Sequence, residues 1–132
     1  MSEELRPLPA FDYFAPRSLA EAVDLLKRHG SAAKLLAGGT DLLPRMKKRK
    51  SAPTVVIDLN TISELSFIEM RGDALHIGAG TSLAALHESG IVRDKAEALA
   101  EAVRVMASPA IRSRATIGGN LCNASRCADT PP

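Results

Sequence analysis

Residues 33–46, Ala-Lys-Leu-Leu-Ala-Gly-Gly-Thr-Asp-Leu-Leu-Pro-Arg-Met, restrict the chain more than any other stretch. The apolar run from Ala33 to Leu36 reads as a short buried strand, and Leu42, Leu43 and Met46 suggest a helix. Between them stand only Ala37, Gly38, Gly39, Thr40 and Asp41, so strand and helix must meet at a glycine turn. A helix start presents unpaired N–H groups and partial positive charge, and glycines let an anionic group approach them closely. Strand, glycine turn and helix start together outline a phosphate cradle. It is not a Walker A loop, because the Gly-Lys-Ser/Thr ending is absent and Asp41 stands where a lysine is expected.

A second glycine pair lies in Thr116-Ile117-Gly118-Gly119-Asn120. Two missing Cβ atoms in a row let a backbone turn through positive φ and let a flat or anionic ligand reach its N–H groups. Thr116 and Asn120 add a hydroxyl and an amide; Asn123, Ser125 and Asp129 add further polar groups before Pro131-Pro132. Alone, this stretch is equally a polar surface turn or a binding loop.

The rest of the chain alternates helix and strand signals. Pro7, Pro9 and Pro16 around Phe11-Asp12-Tyr13-Phe14 exclude a helix and favour an extended segment packed on the body behind it. Ser18 with Glu21 forms a capping box, and Leu19, Ala22, Val23, Leu25 and Leu26 keep helical spacing until Gly30, which predicts a helix over 18–29. The β-branched run 54–59 reads as a central strand, and residues 67–70 and 74–78 as a hairpin about Arg71-Gly72-Asp73. Residues 82–88 read as a short helix, 91–107 as a longer one ending before Pro109, and 110–115 as a basic connector carrying Arg112 and Arg114. Gly78-Ala79-Gly80 suggests a dinucleotide fold, but its third glycine is missing and a hairpin strand is not the first strand of a βαβ unit.

Composition narrows the function classes. At 132 residues the chain suits one ordinary core, and with 45% hydrophobic residues and a mean hydropathy near zero it reads as soluble and globular. No apolar run reaches membrane-span length and no targeting segment is visible, so the expected location is the cytoplasm. A net charge of +2 argues against a nucleic-acid partner, and the basic run Lys47-Lys48-Arg49-Lys50 has no interleaved aromatics. His29, His76 and His87 share no ligand spacing; they read as a helix C-terminal, a strand and a helix-surface residue. No nucleophile–base arrangement is visible, so any redox or transfer chemistry would come from a cofactor.

Taken together, Lys34-Leu35-Leu36-Ala37-Gly38-Gly39-Thr40-Asp41-Leu42-Leu43-Pro44 and Ala115-Thr116-Ile117-Gly118-Gly119-Asn120-Leu121-Cys122-Asn123-Ala124-Ser125, followed by Asp129-Thr130-Pro131-Pro132, resemble the flavin-binding subunit of molybdenum-containing hydroxylases. That family includes the xanthine, carbon monoxide and aldehyde dehydrogenases and hydroxybenzoyl-CoA reductase. The likeness runs from Phe11-Asp12-Tyr13-Phe14-Ala15-Pro16 through Ile57-Asp58-Leu59 and Ile77-Gly78-Ala79-Gly80 to the end of the chain.

The resemblance implies an α+β fold, the FAD-binding domain of the p-cresol methylhydroxylase and vanillyl-alcohol oxidase type. Residues 1–60 would form a small α/β subdomain, and residues 61–132 the beginning of a second, antiparallel-sheet subdomain. By motif match, Leu35, Leu36, Ala37, Gly38, Gly39, Thr40, Asp41 and Leu42 would cradle the FAD pyrophosphate. Thr116, Ile117, Gly118, Gly119 and Asn120 would contact the phosphates and the flavin side, and Asp129 a polar group of the FAD. Met106 falls where relatives place a residue near the isoalloxazine ring.

The family's complexes oxidise substrate at a molybdopterin in a large subunit and pass electrons through 2Fe-2S clusters in a small subunit to FAD and on to an external acceptor. The implied function is thus an electron-transfer component of an oxidoreductase, with no substrate pocket of its own. Relatives extend well beyond the Asp129-Thr130-Pro131-Pro132 position, so the chain is expected to stop within the second subdomain and to be inactive alone. Cys122 and Cys127 lie where hydroxybenzoyl-CoA reductase relatives begin the ligands of an extra cluster, but Ala128-Asp129-Thr130-Pro131-Pro132 follows the ordinary flavin pattern, and the thiols read as buried or idle. The rival reading is a flavin-free module that uses the glycine turn for another phosphorylated ligand or for assembly.

Overall fold

The computed structural model describes residues 6–125. The fold is a mixture of helix and sheet, in two compact units that divide between Ser63 and Glu64.

The first unit is built on a three-stranded parallel sheet in the order β1 (Asp12–Phe14), β3 (Val55–Asp58), β2 (Ala33–Leu36). Tyr13 lies opposite Val56 on one side of β3, and Lys34 opposite Val56 on the other. Parallel neighbours need crossover connections. Helix α1 (Leu19–His29) joins β1 to β2, and α2 (Leu42–Lys47) lies between β2 and β3. α1 starts at the predicted cap, where Ser18 Oγ accepts the Glu21 N–H at 3.2 Å; Glu21 Oε2 reaches one residue beyond the capping box and accepts the Arg17 N–H at 2.9 Å. It stops at Gly30, whose φ of 53° favours glycine. Leu25 packs into a core with Ala33, Val55 and Ile57, edged by Phe14, Leu26 and Leu59.

β3 is central, as its β-branched run predicts, with Val55, Val56 and Ile57 all buried. β2 departs from its reading as a buried strand. It lies at the sheet edge, where only Ala33 is buried and Leu35 is 43% exposed. Lys34 already interrupts the apolar run, and a segment of four residues does not report how many strand neighbours it will have.

The second unit opens with the predicted hairpin, β4 (Ile68–Arg71) and β5 (Ala74–Ile77), antiparallel with Ile68 opposite Ile77. Gly72, with φ 59°, turns the corner. Among the described residues five short helices follow: α3 (Leu83–Glu88), α4 (Gly90–Lys95), α5 (Glu97–Val105), α6 (Pro109–Arg114) and α7 (Ile117–Asn123). Four start on a hydroxyl cap: Ser82, Ser89, Ser108 and Thr116 each accept the N–H three residues on. Leu83, Leu86, Val92, Val103, Met106, Ala115 and Ile117 form the core, with Ile68, Leu75 and Ile77 of the hairpin packed against it.

Three expectations change here. The helix expected over 91–107 is two helices, broken at Ala96 with ψ 61°; alanine is the strongest helix former, so the break carries no local signal. The expected basic connector over 110–115 is helix α6, started by Ser108 at the cap and Pro109 in the first turn. The second glycine loop is helix α7, and neither Gly118 nor Gly119 has positive φ.

Candidate cofactor-binding site

In the first unit, β2 ends at Leu36, whose carbonyl accepts the Leu59 N–H at 2.8 Å. The chain then turns at Gly39, which holds φ 77°. A Cβ there would come within 3.0 Å of Leu43 Cδ1 and 3.1 Å of Leu36 Cδ1, so both sterics and backbone select glycine. The Gly39 carbonyl accepts the Leu43 N–H at 3.0 Å and starts α2. From Ala37 to Leu42, no backbone N–H donates to an acceptor among the described residues. Asp41, the residue before α2, makes no side-chain cap bond and is exposed.

This cluster of consecutive donors with two side-chain-free positions fits an anionic diphosphate group: among the described residues no acceptor has to be displaced from the N–H groups. α2 has only six residues, so the attraction comes from the local amide donors more than from a long helix dipole. Leu35, Leu36, Ala37, Gly38, Gly39, Thr40, Asp41 and Leu42 thus lie together at one end of the parallel sheet, where ligands of such sheets are held.

The Thr116–Asn120 stretch is built in the opposite sense. Four of its five backbone donors are already used inside the second unit. Ile117 N–H donates to Thr81 O at 3.0 Å, Gly118 N–H to Ala79 O at 2.9 Å, Gly119 N–H to Thr116 Oγ1 at 3.0 Å, and Asn120 N–H to Thr116 O at 3.0 Å. The glycine that sequence reading assigns to ligand approach is required by packing: a Cβ on Gly118 would sit 2.6 Å from Ala79 O. Gly78 and Gly80 serve the same end. Their N–H groups donate to Phe67 O at 2.9 Å and Leu65 O at 2.7 Å, and a Cβ on Gly78 would lie 2.2 Å from Leu65 O. Buried Thr81 completes the lattice, its hydroxyl donating to Phe67 O at 3.0 Å and accepting the Phe67 N–H at 3.2 Å. A groove of about 380 Å³ is lined by Ser66, Phe67, Gly80, Thr81, Ser82 and Ala85.

Met106 is 6% exposed and packs in the helical core, while its carbonyl accepts Arg112 Nη1 at 2.9 Å. Its side chain therefore stabilises the second unit, whatever its backbone contacts. Asp129 and Cys127 lie outside the described residues; Cys122 is an exposed free thiol on α7. His29 ends α1 and lies against Phe14 with ring centroids 5.3 Å apart, His76 is on β5 and His87 is exposed on α3, each as its position predicts. Among the described residues no helix is long and apolar enough to cross a membrane.

Sequence reading did not single out Tyr13 and Asp58. Tyr13 Oη donates to Asp58 Oδ2 at 2.5 Å across the β1–β3 pair. That hydrogen bond, followed by partial desolvation and the carboxylate's charge, raises the phenol above its ordinary 10.0. A raised folded pKa gives a contribution that is complete below pH 10 and lost as pH climbs through the folded value. The chain holds one tyrosine, so its tyrosinate absorbance reports this pair directly. Asp58→Asn is expected to bring the midpoint back toward 10.0; an unchanged midpoint would mean the contact is not formed in solution.

A family model for the FAD binding domain in molybdopterin dehydrogenase matches residues 9–132. The chain is 46% identical over 123 residues to the carbon monoxide dehydrogenase medium chain of Hydrogenophaga pseudoflava, covering 93% of this chain and 43% of that one. It is 38% identical over 122 residues to the caffeine dehydrogenase subunit beta of Pseudomonas sp. (strain CBB1), covering 92% of this chain and 41% of that one. Among solved structures, carbon monoxide dehydrogenase from Hydrogenophaga pseudoflava lacking the Mo-pyranopterin moiety superposes with a TM-score of 0.86 and 48% identity, over 87% of this chain and 40% of the other. The chain thus spans about two-fifths of the length of these relatives. With its backbone donors gathered at the Gly38-Gly39 turn and a match over nearly its whole length, the chain belongs to the family of FAD-binding domains of molybdopterin dehydrogenases.

Proposed function

We propose that this chain is the FAD-binding portion of the electron-transfer component of a molybdopterin-dependent dehydrogenase. Its partners would be a large molybdopterin subunit and a small 2Fe-2S subunit. The observation that carries this reading is the run of unpartnered amide donors from Ala37 to Leu42, in a chain of the FAD-binding family. When bound, the flavin would supply the redox chemistry that links iron–sulfur clusters to an external acceptor. The chain's own part is to bind and orient it.

The residue assignment that follows gives the pyrophosphate to Leu35, Leu36, Ala37, Gly38, Gly39, Thr40, Asp41 and Leu42. Thr116, Ile117, Gly118, Gly119 and Asn120 contribute chiefly through side chains and shape, because the N–H groups of Ile117, Gly118, Gly119 and Asn120 are committed within the unit. Asp129 and Met106 complete the family pattern. The reading includes a p-cresol methylhydroxylase-type arrangement, with subdomains over 1–60 and 61–132; the two compact units on either side of Ser63–Glu64 support a two-part organisation. Nothing in the geometry favours the flavin-free alternative.

Titration of the full chain with FAD, FMN and riboflavin, read by flavin fluorescence, tests the assignment. A second phosphate that gains one charge-assisted hydrogen bond is worth about 1.5 kcal/mol, so FAD should bind at least about tenfold more tightly than FMN. Equal affinity for the two would remove the pyrophosphate from the Gly38-Gly39 turn.

A further inference from the structure

Asn60 follows β3 after one residue, and its exposed side chain is nevertheless held from two directions. Its Nδ2 donates one hydrogen to Ala37 O at 2.7 Å and the other to Asp58 Oδ1 at 2.7 Å. Its backbone N–H donates to the same Oδ1 at 2.9 Å. The other oxygen of that carboxylate accepts Tyr13 Oη. A chain of side chains therefore runs across the sheet from β1 through the end of β3 to the carbonyl immediately before the glycine pair. The preceding carbonyl, Leu36 O, is taken by the Leu59 N–H at 2.8 Å, so consecutive residues of one segment hold consecutive carbonyls of the other.

The consequence follows from peptide geometry. Among the described residues no peptide bond is cis, so the Ala37–Gly38 unit is planar with its C=O and N–H pointing in opposite directions. Fixing Ala37 O against Asn60 fixes the direction of the Gly38 N–H, on the side facing away from Asn60. Gly38 has no Cβ and tolerates a wide range of φ and ψ, so without that hold the peptide plane is free to rotate. A carboxamide suits the position because both partners of its nitrogen are acceptors; a carboxylate of the same shape would set oxygen against oxygen.

We propose that Asn60 is a positioning residue for the phosphate cradle: steadied by Asp58, its amide clamps the Ala37 carbonyl and thereby aims the Gly38 N–H at the anionic group of the cofactor. This role rests on the reading of residues 35–42 as the FAD pyrophosphate site. It extends that reading to a side chain outside both glycine motifs.

The test compares wild type with Asn60→Asp and the milder Asn60→Ala in the full chain, using the ¹⁵N–¹H resonance of Gly38 and titrations with FAD and riboflavin. Asn60→Asp is expected to move the Gly38 resonance and to weaken FAD by about tenfold, the scale of one lost hydrogen bond. Riboflavin, which carries no phosphate, should bind both variants as it binds wild type. Asn60→Ala should act in the same direction, and it answers the question if the charged variant does not fold. An unmoved Gly38 resonance, unchanged FAD affinity, or equal losses for FAD and riboflavin would each overturn the positioning role while leaving the cradle reading intact. A wild-type chain that binds no FAD would overturn the cradle reading and the role together.

Discussion

Gly78→Ala is expected to cost the second unit about 3 kcal/mol of folding stability, at the upper end of what an added buried methyl does, because nothing around it can yield. The new Cβ would stand 2.2 Å from Leu65 O and 2.7 Å from Leu65 C, both backbone atoms, and 2.8 Å from Phe67 Cδ1. Moving Leu65 away is not open either, since its carbonyl accepts the Gly80 N–H at 2.7 Å. Gly118→Ala should follow in the same direction, with Ala79 O at 2.6 Å as the obstacle. Gly90→Ala is the control. Its nearest neighbour is the flexible end of Arg93 at 3.8 Å, and alanine is a better helix former, so it should be neutral or stabilise by about 0.5–1 kcal/mol. Urea unfolding of the three variants without FAD checks this ordering; a Gly78→Ala chain as stable as wild type would show that the Leu65 contact is not maintained.

Met46→Ala should cost about 2–4 kcal/mol and carry the cradle with it. α2 is six residues long, far below the length at which an isolated helix persists, so tertiary burial must hold it in place. Met46 is its one buried residue and is fully buried. Removing that side chain frees the segment that follows Gly39 and Asp41. FAD affinity is therefore expected to fall by more than tenfold alongside the stability loss, whereas Met46→Leu, close in volume, should cost less than about 1.5 kcal/mol and keep binding. Denaturation and flavin titration on the same preparations separate the two effects. Retained binding in Met46→Ala would mean that α2 is not needed to hold the donors.

The parts of the structure that were legible in the sequence are those where one residue type has one physical meaning. Ser18, Glu21 and Gly30 bound α1 because a hydroxyl cap, a carboxylate that takes a backbone N–H just before the helix and a positive-φ stop are local devices. Val55, Val56 and Ile57 mark the central strand because β-branched apolar residues suit a strand covered on both faces. The glycines were harder. Gly39 is read correctly as a turn, but Gly118 has the same letter and a different cause, since a missing Cβ serves a turn, a ligand or a close contact alike. What distinguishes them is Ala79, 39 residues away in sequence, and no local pattern encodes that distance. Asn60 escaped notice for a similar reason: an asparagine just past a strand reads as an ordinary turn residue until its partner Ala37 is known.

The lattice that ties residues 65–67 to 78–81, and 79–81 to 116–118, bears on how genes of this family can be recombined. Gly78 and Gly118 are each required by a backbone contributed by another segment, so the three stretches work as a set inherited from one parent. A crossover between residues 68 and 78, or between 82 and 115, would join segments selected against different neighbours. A crossover between Ser63 and Glu64 leaves the whole set on one side, and it also leaves the Ala37–Asn60 clamp intact on the other. Chimeras of related flavin subunits joined at that point should keep both devices.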